Sequence, residues 1–186
     1  RGVAGWSSIP QAVRLPGGLL ALWLAWLAVA QARFVGINFL LSILVLVWVA
    51  DIFAYFAGRA FGGRVAAGKL APSISPGKSW EGVWGGMAGV VTLAFLWAWA
   101  DRALGTGVAS FYTRLSIHGG WLLLIAVLFM AAMSVVGDLV ESLIKRSAGV
   151  KDSSGLLPGH GGVLDRVDAL LPTLPLAMML VTLGRP

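Results

Sequence analysis

The sequence predicts an all-α, polytopic integral membrane protein with about five transmembrane helices in a single domain, residues 1–186. Of its 186 residues, 58% are hydrophobic and only 12% are charged, whereas soluble domains carry roughly 25% charged residues. The apolar residues form runs that are too long and continuous for barrel strands. Since only helices and closed barrels satisfy backbone hydrogen bonds in lipid, we expect helices and no β-sheet.

The apolar runs give the order of the predicted spans along the chain. The first run is short for a hydrocarbon core of about 30 Å, and the fifth is interrupted by Pro172 and Pro175. Closely spaced glycines at the start of the third run permit tight packing between helices. The five predicted spans are residues 19–32, 35–57, 82–100, 119–146 and 163–183.

The first residue is Arg rather than Met, and no cleavable signal pattern follows it. We interpret the chain as a fragment or processed form that lacks upstream helices. Without cysteine, disulfides, zinc–thiolate sites and thiol chemistry are excluded. The modest charge of +6 suits anionic lipid headgroups or phosphorylated substrates. We therefore predict no nucleic-acid partner.

The distribution of basic residues predicts the orientation of the spans. If the loops alternate between the two faces, ten of the 14 Lys and Arg residues lie on one side. That side includes the loop of residues 58–81 and the polar stretch of residues 142–168. By the positive-inside rule this face is cytoplasmic, so we place the polar stretch there, where nucleotides are found.

Carboxylates on the predicted helices are the first candidates for a functional site. Ser134, Asp138, Glu141 and Lys145 share one helix face, and Asp138 lies near the edge of the hydrocarbon core. An acid at that depth faces protein, water or a cation. The alternative is an interfacial carboxylate paired with Lys145 or Arg146.

Asp165 and Asp168 follow the glycine-rich turn and share a face of the fifth predicted span. By themselves they are typical of helix N-terminal acids. If they converge with Asp138, the three carboxylates suit Mg²⁺, which prefers hard oxygen ligands. His160 alone makes no zinc site. The spacing therefore predicts magnesium, with a second cation left open.

Three further polar positions have competing interpretations. Asp51 is either part of the site or a buried acid that is hydrogen-bonded to Tyr55 or to another helix. Ser79 is a plausible helix cap and Lys78 a phosphate contact, unless their segment is only a solvated loop. Asp101, next to Arg102, is interpreted as a loop ion pair, so that its replacement should be nearly neutral.

The signature region of residues 134–168 resembles the phosphatidate cytidylyltransferase (CDP-diacylglycerol synthase) family. Its motif has the form S-x-x-K-R-x4-K-D, a short gap, and L-P-G-H-G-G-x-x-D-R-x-D. Residues 51–62 and 75–82 are also similar to this family, and the resemblance covers about residues 35–183. The matching positions are Ser142, Lys145, Arg146, Lys151, Asp152, Leu157, Pro158, Gly159, His160, Gly161, Gly162, Asp165, Arg166 and Asp168.

The resemblance implies a membrane enzyme that converts CTP and phosphatidic acid into CDP-diacylglycerol and pyrophosphate. Asp138 and Asp165 would hold the catalytic Mg²⁺, and Asp152 and Asp168 would support them. The phosphates would contact basic residues, and backbone N–H groups of the glycine turn would approach CTP. The implied substrate contacts are Lys78, Ser79, Lys145, Arg146, Lys151, Ser153, Gly159, His160, Gly161, Gly162, Arg166 and Asp51.

Two other functions remain open at this stage. A CTP-dependent polyprenol or phytol kinase would share the nucleotide, metal and architecture but transfer the γ-phosphoryl group. A transporter would use intramembrane acids along an ion path, although the charges here cluster at one face. We expect the protein in the bacterial inner membrane. Acyl-chain preference and oligomeric state, including a homodimer, do not follow from the sequence.

Overall fold

The computed structural model describes residues 5–6, 8–66, 68–159 and 161–183, most of them in long helices. Two short strands, β1 Lys69–Ala71 and β2 Ser75–Ser79, form an antiparallel hairpin between the second and third helices. The helices, numbered in chain order, are α1 Gln11–Val35, α2 Ile37–Phe61, α3 Trp80–Leu104, α4 Phe111–Ser116, α5 Gly120–Ser147, α6 Leu164–Val167 and α7 Leu170–Leu183.

Among the described helices, four are long and apolar enough to cross a membrane: α1, α2, α3 and α5. They confirm the predicted class, a helical polytopic membrane protein. The predicted fifth span instead divides into α6 and the 14-residue α7. A helix of that length measures about 21 Å, against about 30 Å of hydrocarbon. The described residues therefore contain four such helices rather than five.

The loops hold more structure than the sequence predicts. The expectation of no sheet is wrong for the loop of residues 58–81, which contains the β1–β2 hairpin. The hairpin belongs to the loop that connects two apolar helices, outside the spans themselves. Its backbone is therefore not subject to the constraint that lipid imposes. At the other end, α3 continues to Leu104 and ends at Gly105 in the left-handed conformation. This extension places Asp101 inside a helix rather than in a loop.

Among the described helices, α2 and α3 have the most extensive contact with each other. A Cβ atom added to Gly85 would lie 2.2 Å from the Cβ of Ala57, and one added to Gly89 would lie 2.4 Å from the Phe53 ring. The glycines thus allow the two backbones to approach each other, which confirms the packing expected from their spacing. This close pair brings the end of α2 next to the start of α3, where the polar residues collect.

The remaining helices surround this pair and bury an apolar core. Helix α5 contacts both α3 and α7, and α1 packs against α2 and α7. The core residues include Phe39, Ile43, Leu46, Val127 and Met130, all with 0% exposed surface. The ends of α2 and α5, the hairpin and the α6–α7 segment meet at one end of this bundle, which is the end that carries the predicted site.

Candidate functional site

The site is built on the junction between the hairpin and helix α3. Ser79 is the last residue of β2, and its Oγ accepts a hydrogen bond from the Gly82 N–H at 3.2 Å. This bond confirms Ser79 as the cap of α3. Since the cap fixes the chain at residue 79, it also directs the preceding residue, Lys78, towards α5.

Lys78 forms an ion pair with Asp138 of α5. The Nζ–Oδ2 distance is 2.6 Å, and the two side chains keep 24% and 32% of their surface exposed. Ser142 also donates its hydroxyl to Asp138 Oδ1, at 3.2 Å. The contact confirms that the hairpin loop and the signature region lie at the same end of the bundle. Because both partners remain accessible, a phosphate or a cation can reach them.

A cavity of about 400 Å³ opens beside this ion pair, between α2, α3, β2 and α5. Four of the predicted site residues line it together: Asp51, Lys78, Ser79 and Asp138. The Asp51 carboxylate interacts electrostatically with Asp138 and Lys78. The Tyr55 hydroxyl accepts a hydrogen bond from Arg59 at 3.0 Å. Among the described hydrogen bonds, none joins Tyr55 to Asp51.

Asp168 belongs to the same group of charges as Asp138. Its main-chain oxygen would be 2.9 Å from a Cβ atom added to Gly137, the residue before Asp138. Burial raises the pKa of Asp168 to about 6, and the negative charge of Asp138 adds to the rise. The α6–α7 turn therefore brings the Asp168 carboxylate within electrostatic range of the Lys78–Asp138 pair.

Asp165 has a different role in this structure. It accepts hydrogen bonds from the Ser153 N–H and hydroxyl, each at 2.9 Å, and from the Gly162 N–H at 2.6 Å. Lys145 Nζ lies 2.5 Å from its other oxygen. Burial raises the pKa of Asp165, but the bonds from Lys145, Gly162 and Ser153 outweigh it and hold the pKa well below its usual range. Asp165 thus fastens both ends of the segment 153–162, called here the glycine-rich loop.

Lys145 stands between two carboxylates. Its Nζ is 2.5 Å from Glu141 as well as 2.5 Å from Asp165. Glu141 is only 4% exposed, and the sequence analysis placed it on the same helix face as Asp138 without assigning it a role in the site. The signal was present in the spacing of residues 141 and 145, since residues four apart on a helix face each other. Glu141 orients Lys145 towards the glycine-rich loop.

The glycine-rich loop adopts this closed form because Gly161 and Gly162 have no Cβ atoms. Gly161 adopts a φ of 80°, which favours glycine. A Cβ atom on Gly162 would lie 2.0 Å from Ser153 Oγ. The Gly162 N–H is donated to Asp165, so this amide supports the loop itself. His160 lies outside the described residues.

The other predicted contacts lie around the cavity rather than in it. Arg146 Nε donates to the Ile74 carbonyl at 3.4 Å, which ties the end of α5 to the hairpin. Lys151 and Asp152 are exposed residues at the entrance to the glycine-rich loop, and Gly159 is exposed within it. Arg166 is exposed on α6. Their roles in binding substrate stay predictions.

The predicted metal ligands are only partly assembled. In the described part of the chain, no three His, Asp or Glu side chains form a group that could hold a metal ion. The Asp165 oxygens are taken by Lys145, Ser153 and Gly162. Asp138, however, lines the cavity and interacts electrostatically with Asp168, and carboxylate oxygens are donors that fit Mg²⁺.

The interpretation of Asp101 as a loop ion pair is wrong. Asp101 is 6% exposed at the opposite end of α3, and Arg102 donates instead to the Ser116 hydroxyl at 2.7 Å. The Asp101 carboxylate accepts hydrogen bonds from Asn38 Nδ2, the Ser110 N–H and the Thr113 hydroxyl, at 2.9, 3.0 and 2.6 Å. It therefore connects α2, α3 and α4.

Residues 13–183 match the model of a family described as the cytidylyltransferase family. The chain belongs to this family. A phosphatidate cytidylyltransferase of Haemophilus influenzae is 49% identical over 75% of this chain. Proteins with the same name from Pseudomonas aeruginosa and Bacillus subtilis are 44% and 38% identical over 87% and 80% of the chain.

The matched range, residues 13–183, includes all the site residues described above. The match also confirms the resemblance that the signature residues suggested. The alignments cover 44%, 55% and 49% of the three relatives. The chain thus spans about half the length of the cytidylyltransferases that it matches.

Proposed function

We propose that the whole protein transfers the cytidylyl group of CTP to phosphatidic acid and forms CDP-diacylglycerol and pyrophosphate. The observation that carries this proposal is the meeting of Lys78 and Asp138 at a cavity between membrane-spanning helices. The names of the relatives support the same reaction.

The reaction needs positioning and charge neutralisation more than covalent help from the protein. An oxygen of the lipid phosphate attacks the α-phosphorus of CTP, a new P–O bond forms, and the bond to pyrophosphate breaks. Two anions must approach each other, so basic side chains that reduce their repulsion lower the barrier. We assign this role to Lys78, Arg146 and Lys151, with Arg166 as a further phosphate contact.

Lys145 holds the glycine-rich loop through its contact with Asp165. During the reaction Lys145 would exchange this contact for one with a phosphate. Asp138 and Asp168 would hold Mg²⁺, and Asp165 would join them by releasing one of its present partners. Magnesium would supply positive charge to the phosphate oxygens. Asp152 and Asp51 would support a second cation or orient the substrate. Ser153 and the residues Gly159 to Gly162 would shape the nucleotide pocket.

We also propose that the site faces the cytoplasm from the bacterial inner membrane. The Lys and Arg distribution supports this orientation. Single cysteines introduced at residues 78 and 153 test it cleanly, because the chain has no cysteine of its own. Both should react with a membrane-impermeant thiol reagent only from the cytoplasmic side. Labelling of the two residues from opposite sides would contradict the topology.

The activity is tested by following two radioactive labels. The full-length protein in detergent, with phosphatidic acid and Mg²⁺, should transfer label from α-labelled CTP to lipid and release the γ-label as pyrophosphate. Transfer of the γ-label to a lipid alcohol would identify a kinase instead. Ion flux into liposomes without lipid turnover would identify a transporter. Omission of Mg²⁺ should remove the activity, and full activity in a chelator would contradict the proposed metal.

A further inference from the structure

Arg59 is a charged cavity residue that the transfer chemistry described above does not use. It lies near the end of α2 and lines the cavity together with Tyr55, Lys78 and Asp138. Its Nη1 donates a hydrogen bond to the Tyr55 hydroxyl at 3.0 Å. The ion pairs of the described residues do not include Arg59. The hydrogen-bond acceptor of its guanidinium group is therefore a neutral oxygen, not a carboxylate.

This situation differs from that of the lysine in the same cavity. The charge of Lys78 is matched by Asp138 at 2.6 Å, whereas Arg59 brings an unmatched charge to the cavity wall. A guanidinium group has five N–H donors in a planar fork, and the bond to Tyr55 occupies one of them. The fork suits two oxygens of a single phosphate group. Arg59 is therefore placed to bind an anion.

The rest of the cavity limits what kind of anion can enter. Much of its wall is apolar and belongs to helices that can cross a membrane; these residues are Ala50, Ala54, Val83, Met87, Ala131 and Val135. A ribose or a base against this wall would lose hydrogen bonds to water without replacement. Methylene groups would instead be stabilised there. The cavity fits a molecule with a phosphate at one end and an apolar body.

We propose that Arg59, oriented by Tyr55, binds the phosphate monoester of the lipid substrate in this cavity. The glycerol and the first methylene groups would pack on the apolar wall, since about 400 Å³ accommodates the head of a lipid rather than its full chains. Lys78, which is paired with Asp138 at the same opening, would contact CTP. This inference rests on the proposed function and names the substrate that occupies the cavity.

The test compares Arg59→Gln and Arg59→Lys with Arg64→Gln in the full-length protein. Arg64 is exposed in the loop directly after α2 and is not one of the residues that line the cavity. It is therefore a matched control for loss of charge. Arg59→Gln should raise the KM for phosphatidic acid about tenfold or more and leave the KM for CTP unchanged. Arg59→Lys should lie between it and the wild type, and Arg64→Gln should behave as wild type.

A binding measurement separates this inference from the proposed activity. Native mass spectrometry should show that the wild type retains dioleoyl phosphatidic acid over dioleoyl phosphatidylglycerol, and that Arg59→Gln loses this preference. If the wild type shows the preference but no cytidylyl transfer, the activity is wrong and the lipid phosphate site stands. If Arg59→Gln keeps both the preference and the KM for phosphatidic acid, the site is wrong. An increase in the KM for CTP alone would assign Arg59 to the nucleotide.

Discussion

The two ends of the helix bundle each hold an aspartate, and the two are stabilised by different partners. Asp101, at one end, is almost fully buried and accepts its hydrogen bonds from Asn38, Ser110 and Thr113, which are all neutral donors. Asp138, at the other end, keeps 32% of its side-chain surface and is paired with Lys78. The first carboxylate joins helices, whereas the second faces a cavity.

The partners show what each acid is suited to do. Neutral donors from α2 and α4 fix the Asp101 carboxylate in place, and only 6% of this residue is exposed. A lysine partner can be shared with an incoming phosphate, and a half-exposed carboxylate can bind a cation. Removal of Asp101 should therefore affect mainly stability, and removal of Asp138 mainly activity. The following variants test this difference.

The largest effect is expected for Asp138→Asn. This change leaves Lys78 without its counter-charge and removes the proposed metal donor, so cytidylyl transfer should fall more than about 100-fold. The thermal midpoint in detergent should hardly change, because ion pairs that remain partly exposed contribute little to stability. The measurement is Mg²⁺-dependent CDP-diacylglycerol formation by monodisperse protein. Near-normal activity would remove Asp138 from the site.

Asp165→Asn should also remove nearly all activity while the protein stays folded. It weakens the contacts that fasten the glycine-rich loop and removes a proposed metal ligand. The double variant with Asp138→Asn should be little worse than either single variant if both act on one step. Additive losses, measured in the same assay, would mean that the two residues act independently.

A smaller loss of activity is expected for Gly162→Ala. The new Cβ atom would lie 2.0 Å from Ser153 Oγ and 2.8 Å from the Ser154 N–H, so the loop cannot close as it does here. We expect activity to fall about tenfold or more, as when positioning is lost. Gly155→Ala in the same loop is the control, since its Cβ would meet nothing within 4 Å. Equal rates for the two variants would show that closure of the loop is not required.

Asp101→Asn should have the smallest effect on activity. The introduced amide group would face hydrogen-bond donors, and each buried polar group left unpaired costs about 1–3 kcal/mol. The thermal midpoint should fall clearly, while the rate per folded molecule at low temperature should stay near that of the wild type. An unchanged midpoint would contradict the structural role of Asp101.

The helical class and several of the residues that line the cavity could be predicted from the sequence for clear physical reasons. Apolar composition and continuous runs identify membrane helices, and the glycines of α3 indicate the tight α2–α3 pair. The shared helix face of Asp138 and Lys145 and the cap at Ser79 also follow from local spacing. These features depend on residues that are near each other in the chain.

The features that the sequence did not predict depend on contacts between distant segments. Asp101 looks like a loop residue next to Arg102, and only the fold shows that Asn38 and Thr113 approach it. Arg59 could not be separated from the other loop cations, because its place on the cavity wall follows from how α2 packs against α3. The apolar run of residues 163–183 is long enough for a span, but its first residues fold separately as α6. The helix that remains, α7, is therefore shorter than the sequence predicts.

The most direct test of the account is the affinity for CTP of Lys78→Ala compared with that of Lys69→Ala. Both lysines belong to the hairpin, but among the described residues only Lys78 lines the cavity and contacts Asp138. Calorimetry on the full-length protein in detergent should show that Lys78→Ala weakens CTP binding about tenfold or more, with a matching rise in the KM for CTP. Lys69→Ala should bind as the wild type does. Wild-type affinity in Lys78→Ala would contradict the assignment of this cavity as the transfer site.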